Sequence, residues 1–346
     1  MRRPVRSLVA ALALGCLLVA GCAPSSSSSS SSSSPAAPRH LKNVTLVLDW
    51  TPNTNHSGIY LAQANGWYRQ AGLAVKIIQP GDNGSLQPLA AGRADFAVSV
   101  AEELLPARAK GLPVVSLGAV LQHNTSSLLA LSSSGIHRPR DLQGKTYGGY
   151  GGQLERALVS SLVRCDGGDP KRVKFVSVGN ADYRVGLTKH FYDFVWIFDG
   201  WDKIRMAQID KLGVTTLPFA SYTRCIPDWY TPLLATNEHL LHSDPRTVRA
   251  FMTATARGYR EAMARPDSAA TALLKAAPEL DHRLVELSAD YLATRYAAAP
   301  QRWGQQDRLT WQRFADFLQR SGLVTTKVDV GAAYTNAYLP PVGKAG

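Results

Sequence analysis

Cysteine is scarce in this chain, and acidic charge is in short supply. The 346 residues hold four cysteines, none at the spacing of a zinc or iron–sulfur site, which excludes a metal-ribbon architecture. No G-x-x-x-x-G-K-[ST] run occurs, so the chain has no phosphate-cradling loop of that kind and does not itself hydrolyse ATP. The apolar stretch from Leu8 to Ala20 falls short of the about 20 residues that a stable membrane span needs. With 38 basic against 26 acidic residues the formal charge is +12. The Lys and Arg are scattered rather than gathered into one arm. That speaks against a nucleic-acid partner and for a solvated basic face beside anionic lipid.

The N-terminal segment has a pattern of its own. Arg2, Arg3 and Arg6 precede the apolar stretch, and Leu18-Val19-Ala20-Gly21-Cys22 closes it with small residues before a cysteine. This reads as a lipoprotein signal over residues 1–21, with Cys22 as the acylated first residue of the mature chain. An uncleaved transmembrane anchor is the competing reading. Residues 22–42, with ten serines from Ser25 to Ser34 flanked by prolines, offer no apolar surface to bury and read as a disordered tether. The expected location is the extracytoplasmic face of the cell membrane, held by lipid. Without the three leader arginines the formal charge falls to +9. Of the cysteines, Cys165 and Cys225 remain in the body; an oxidising compartment would let them pair, though nothing in their spacing demands it.

From about Asn43 onward, short apolar runs alternate with helical stretches. Strands are expected at Val44–Leu48, Val75–Ile78, Phe96–Val100 and Val114–Val120, separated by helices at Gly58–Gln70, Ser85–Ala91 and Ala101–Lys110. A second series has strands at Lys145–Gly148, Lys174–Val178, Phe194–Phe198 and Val214–Leu217, with helices at Gln153–Arg164, Ala181–His190 and Gly200–Asp210. The remainder is helical: Asp244–Ala264, Ser268–Ala276, His282–Ala297 and Asp307–Ser321. Such a series implies an α/β fold of two lobes, each a mostly parallel sheet flanked by helices, arranged as in a type II periplasmic binding protein. Residues 43–130 form the first part of lobe 1, 131–235 lobe 2, 236–330 the return to lobe 1, and 331–346 a tail. The chain is expected to cross between lobes near Leu128–Ser132 and Thr231–Thr236. A ligand would sit between the lobes, at the carboxyl ends of the strands.

Four loops carry the candidate binding residues. After the first strand, Trp50 supplies a flat apolar face, while Asn53 and His56 supply hydrogen-bonding groups. In the second lobe, Tyr150, Gly151, Gly152 and Gln153 open a helix whose N–H groups would attract an anion, yet Glu155 would repel a phosphate there. The competing reading makes these glycines a tight turn and Glu155 a helix-terminal partner. Asp199 and Trp201 end another strand, where a carboxylate could accept from a ligand's N–H group; Asp199 as a plain helix cap is the alternative. Tyr222 and Trp229 are further aromatics that could close the pocket.

The run Val44-Thr45-Leu46-Val47-Leu48-Asp49-Trp50-Thr51-Pro52-Asn53-Thr54-Asn55-His56, followed by Ile59-Tyr60-Leu61-Ala62-Gln63-Ala64-Asn65-Gly66-Trp67-Tyr68, resembles the opening of the NMT1/Thi5-like family. The resemblance continues through Ala90-Ala91-Gly92-Arg93-Ala94-Asp95-Phe96 and Leu234-Ala235-Thr236-Asn237-Glu238. That family holds both fungal thiamine-pyrimidine synthases and bacterial receptors of ABC importers. In the synthases the resemblance implies a lysine for pyridoxal phosphate, a consumed histidine and a cysteine-rich iron motif. Here Ser99 stands at the lysine position, Glu103 at the histidine position, and only Cys225 represents the cysteines. Serine forms no Schiff base. The resemblance therefore implies a receptor rather than an enzyme, without cofactor or metal. It would act as a monomer, carrying a small heteroaromatic solute, foremost a thiamine-precursor pyrimidine, to a permease with a separate ATPase subunit. Riboflavin or an organosulfonate is the alternative cargo.

Overall fold

The computed structural model describes residues 40–179 and 182–342. The signal segment, Cys22 and nearly all of the tether lie outside the described residues, as does the start of the helix expected at Ala181–His190.

Ten strands occur among the described residues: β1 (Lys42–Val47), β2 (Leu73–Ile78), β3 (Phe96–Ser99), β4 (Val114–Ala119), β5 (Ser126–Leu131), β6 (Thr146–Gly149), β7 (Lys174–Ser177), β8 (Phe194–Phe198), β9 (Val214–Pro218) and β10 (Leu233–Asn237). They form two five-stranded sheets, ordered β2-β1-β3-β10-β4 and β7-β6-β8-β5-β9. β1 pairs in parallel with β2 and β3, and β6 with β7 and β8, because helical crossovers return the chain to the same edge each time. Both sheets are flanked by helices, so the α/β two-lobed architecture expected from the alternation is the one observed.

Each sheet also takes in one antiparallel strand, and here the expectation is corrected. Leu128–Ser132 and Thr231–Thr236 were read as links, but β5 and β10 occupy most of them, each inserted antiparallel between two strands of its sheet. The links between sheets are residues 120–125 and 219–232. Helix Gly58–Gln70 is in fact two, Ser57–Ala64 and Trp67–Gln70, broken at Gly66 with its left-handed φ of 67°. Gly200–Asp210 is wound as π-helix, over Asp199–Lys203 and Arg205–Ile209. The tail packs back on the body: Thr335 N–H donates to Ser116 O at 2.8 Å, and the Tyr334 ring stacks on Trp311.

One core lies against the first sheet, where Phe251 of helix Pro245–Ala264 stacks on Phe96 with ring centroids 3.8 Å apart. That helix crosses Ser57–Ala64 at Gly258 and Gly58 so closely that a Cβ at position 258 would overlap the Gly58 carbonyl. A second core is shared by both sheets. Helix Arg308–Arg320 contributes Trp311, Phe314 and Phe317 to it, and Phe314 stacks on Trp229 at 4.9 Å.

Cys165, the last residue of helix Gln153–Cys165, is bonded to Cys225 in the second link, with Cα atoms 5.5 Å apart. The bond closes a loop of 60 residues, which constrains the unfolded chain. Replacing both cysteines by serine should lower the unfolding free energy by about 4 kcal/mol, measured by urea denaturation of the oxidised parent and the variant.

Candidate ligand-binding cleft

Three of the four loops singled out above follow parallel strands, as does the stretch after Ser99; the segment with Tyr222 and Trp229 instead follows β9, which pairs antiparallel with β5. Asp49 and Trp50 follow β1, Val100 to Glu103 follow β3, Tyr150 to Gln153 follow β6, and Asp199 to Asp202 follow β8. The ends of β1 and β8 meet across the two sheets through Ser288 of helix His282–Ala293. The Thr54 hydroxyl donates to Ser288 Oγ, which donates to the carbonyl of Gly200. The direction is fixed because the carbonyl can only accept. Any side chain at Gly200 would press on Tyr291 and Leu292 of the same helix.

In the β1 loop, Asn53 caps the turn Thr54–His56: its Oδ1 accepts from Asn55 N–H at 2.9 Å and its Nδ2 donates to Thr51 O at 2.9 Å. The Asn53 N–H donates to His56 Nδ1 at 3.2 Å. The imidazole proton therefore sits on Nε2, which donates to Asp49 Oδ1 at 2.7 Å. Asn53 and His56 are both buried. The expectation that they meet a ligand directly is corrected: their hydrogen bonds are spent on their own turn, and what they present is Asp49, with 23% of its side chain exposed. Trp50 is 49% exposed, the free aromatic face anticipated there.

Three of the second-lobe expectations are likewise revised. Glu155 is buried and accepts from Tyr147 O–H, Tyr150 N–H and Gly152 N–H at 2.9, 3.0 and 2.8 Å, so it closes the helix start rather than facing a ligand. A Cβ on Gly149 would run into that carboxylate, which explains the glycine there. Trp229 is buried between Phe314 and Trp196, and its Nε1–H donates to Glu102 Oε2 at 2.9 Å. Tyr222 lies beside Cys225, which is tied to the far end of the 13-residue helix Gln153–Cys165, about 20 Å from the Tyr150 loop. Tyr150, Gly151, Gly152 and Gln153 are exposed, with Tyr150 at 59%. Ser99 is fully buried and its hydroxyl finds no partner among the described residues. Trp201 packs against the first core.

Carboxylates dominate the electrostatics. Asp199 is buried, and its pKa is raised by burial against the opposing pull of Lys203 and the Ser127 hydroxyl. Burial pushes Asp202 up to about 6, although its Oδ2 accepts from Phe198 N–H at 3.0 Å. The π-helical turn is what folds that carboxylate back onto the end of β8. Across the gap, burial and the neighbouring Asp49 raise Glu103. Glu102 is pushed up to about 8, chiefly by burial. Asp49, Glu102 and Asp202 were not anticipated from sequence; Asp49 and Asp202 directly adjoin the anticipated Trp50 and Trp201, and Glu102 lies three residues after Ser99, but single acids at strand ends carry no periodic signal.

The match to the family profile described as NMT1/THI5 like spans residues 53–269. The chain is 27% identical over 308 residues to a 4-amino-5-hydroxymethyl-2-methylpyrimidine phosphate synthase of Legionella pneumophila, covering 86% of this chain and 92% of that one. It is 28% identical over 294 residues to a formylaminopyrimidine-binding protein of Halalkalibacterium halodurans, covering 80% and 85%. Among solved structures, it resembles the alkanesulfonate-binding protein SsuA of Xanthomonas axonopodis pv. citri (TM-score 0.66, 16% identity, 86% and 99% covered). It also resembles a Candida albicans protein with the generic periplasmic binding protein fold (TM-score 0.61, 16% identity, 88% and 99% covered).

The raised acids have a measurable consequence. Folded Glu102 keeps its proton up to about pH 8, whereas the unfolded chain releases it near 4.5, so stability falls as pH rises through that window. Glu102→Gln should melt a few degrees above the parent at pH 8, with the difference closing near pH 5, in thermal scans at the two pH values. The two-lobed α/β body, read together with the profile match, means that the chain belongs to the NMT1/THI5-like family.

Proposed function

We propose that this protein is an extracytoplasmic solute receptor of an ABC importer, held to the membrane through acylated Cys22, that carries an aminopyrimidine related to thiamine precursors. The observation that carries this reading is the conjunction of Asp49, Asp199 and Asp202 with the exposed rings of Trp50 and Tyr150, all at the carboxyl ends of parallel strands. A flat ring stacks between aromatic faces, and its exocyclic amine donates to carboxylates that have no strong cationic partner of their own. The name of the Halalkalibacterium relative supports a pyrimidine. Riboflavin is the second cargo to weigh. An organosulfonate fits less well, because the same carboxylates would repel it.

The synthase names among the relatives raise the alternative of an enzyme. Ser99 offers no amine for a Schiff base, Glu103 is no histidine, and Cys225, in the stretch matching the iron motif, is already bonded to Cys165. Among the described residues no three His, Cys, Asp or Glu side chains gather as a metal site. These groups do not fit pyridoxal phosphate or iron. A receptor returns its ligand unchanged.

Thermal-shift measurements against aminopyrimidines, thiamine, riboflavin and sulfonates test the reading, since a ligand that binds only the folded chain raises its melting temperature. An aminopyrimidine should give the largest shift. Asp49→Ala and Asp199→Ala should each weaken that ligand about tenfold to a hundredfold, and Trp50→Ala about tenfold, by calorimetric titration. A converted product recovered from the purified chain, or retained iron, would favour the enzyme.

A further inference from the structure

Among the described residues seven large apolar side chains are conspicuously exposed, and three of them gather around β7: Val176 at 37%, Val185 at 50% and Phe191 at 69%. They come from β7, which is an edge strand of the second sheet, from helix Tyr183–Thr188, and from the turn after it. Together with Val178, Tyr192 and Asp182 they border a shallow hollow of about 500 Å³.

Cations outnumber acids around this hollow. Lys174 lies two residues from Val176 on the same face of β7. Lys189 lies four residues from Val185 on the same side of the helix. Lys171 and Arg172 are exposed just before the strand. Among the described residues none of these four cations makes an ion pair, whereas the acids nearby are already engaged. Asp182 is paired with Arg184, Asp210 with Arg184 and Arg205, and the Asp193 carboxylate accepts from Thr146 N–H at 2.7 Å.

We propose that this edge of the second sheet is a docking face for an anionic lipid surface, with Phe191 and Val185 entering the headgroup region and Lys174 and Lys189 engaging lipid phosphates. Charge complementarity selects the sign of the partner. The small apolar area, three side chains against the roughly 800 Å² that each partner of a stable protein complex buries, favours a bilayer over a protein. A bilayer accepts protruding side chains without needing a matching shape. The proposal stands apart from the ligand reading and from acylation of Cys22, because both can fail while the patch still binds.

Co-sedimentation of residues 40–346, the compact unit that holds both sheets, with vesicles of phosphatidylcholine alone or mixed with phosphatidylglycerol tests it. The chain should bind the phosphatidylglycerol vesicles and be released by high salt. Lys174→Gln and Lys189→Gln should each lower the partition coefficient about fivefold, and Phe191→Ser about tenfold, with unchanged melting temperatures. Equal binding to both vesicle types, no binding, or variants that bind like the parent would overturn the proposal. So would a concentration-dependent dimer abolished by Phe191→Ser, since the patch would then serve a second copy.

Discussion

Parallel pairing is the constraint from which the rest of this molecule follows. β1 and β3 in one sheet, and β6 and β8 in the other, each run in the same direction as their paired neighbour, so every one of these strands must return through a helical connection. The chain thereby delivers its loops to the carboxyl edge of each sheet. Asp49, the Glu102–Glu103 pair, Tyr150 and the Asp199–Asp202 turn are collected there not by contact with one another but by the direction of the strands that carry them.

Electrostatic cost is what distinguishes this edge from an ordinary surface. Carboxylates brought out of water are penalised unless paired, and Glu102, Glu103, Asp199 and Asp202 all have raised pKa values for that reason. Elsewhere acids are placed beside cations, as in Asp166 with Arg138 and Asp182 with Arg184, and their pKa values fall. The acids after β3 and β8 are instead held by hydrogen-bond donors such as Trp229 Nε1–H on Glu102 and Phe198 N–H on Asp202, and by no close ion pair among the described residues.

Much of the architecture was readable from periodicity, because buried parallel strands such as Val114–Ala119 are continuous apolar runs and the returning helices such as Pro245–Ala264 are amphipathic. What misled was context. β5 and β10 look like the strands around them, yet they sit where a crossing was expected, and pairing direction leaves no trace in composition. Glu155 and His56 have the chemistry of binding groups, but three backbone and side-chain donors claim the first and one turn claims the second. Trp229 resembles a loop aromatic until its ring is found stacked on Phe314, 85 residues onward in the chain and supplied by a helix that no local pattern connects to it. The separate roles of Asp49 and His56 likewise emerge only from the orientation of one imidazole.

The bond between Cys165 and Cys225 also changes how the two halves can move. Between β4 and β5 the chain has six residues, 120–125, while between β9 and β10 it has fourteen, 219–232. Fastening residue 225 to the end of a second-lobe helix leaves only seven, 226–232, free to bend. The two tethering strips become nearly equal in length, and Asp228 clips them side by side by accepting from His123 Nδ1 at 2.7 Å and Asn124 N–H at 3.0 Å. Strips matched in length and fixed edge to edge are the kind of short paired connection about which two lobes can hinge.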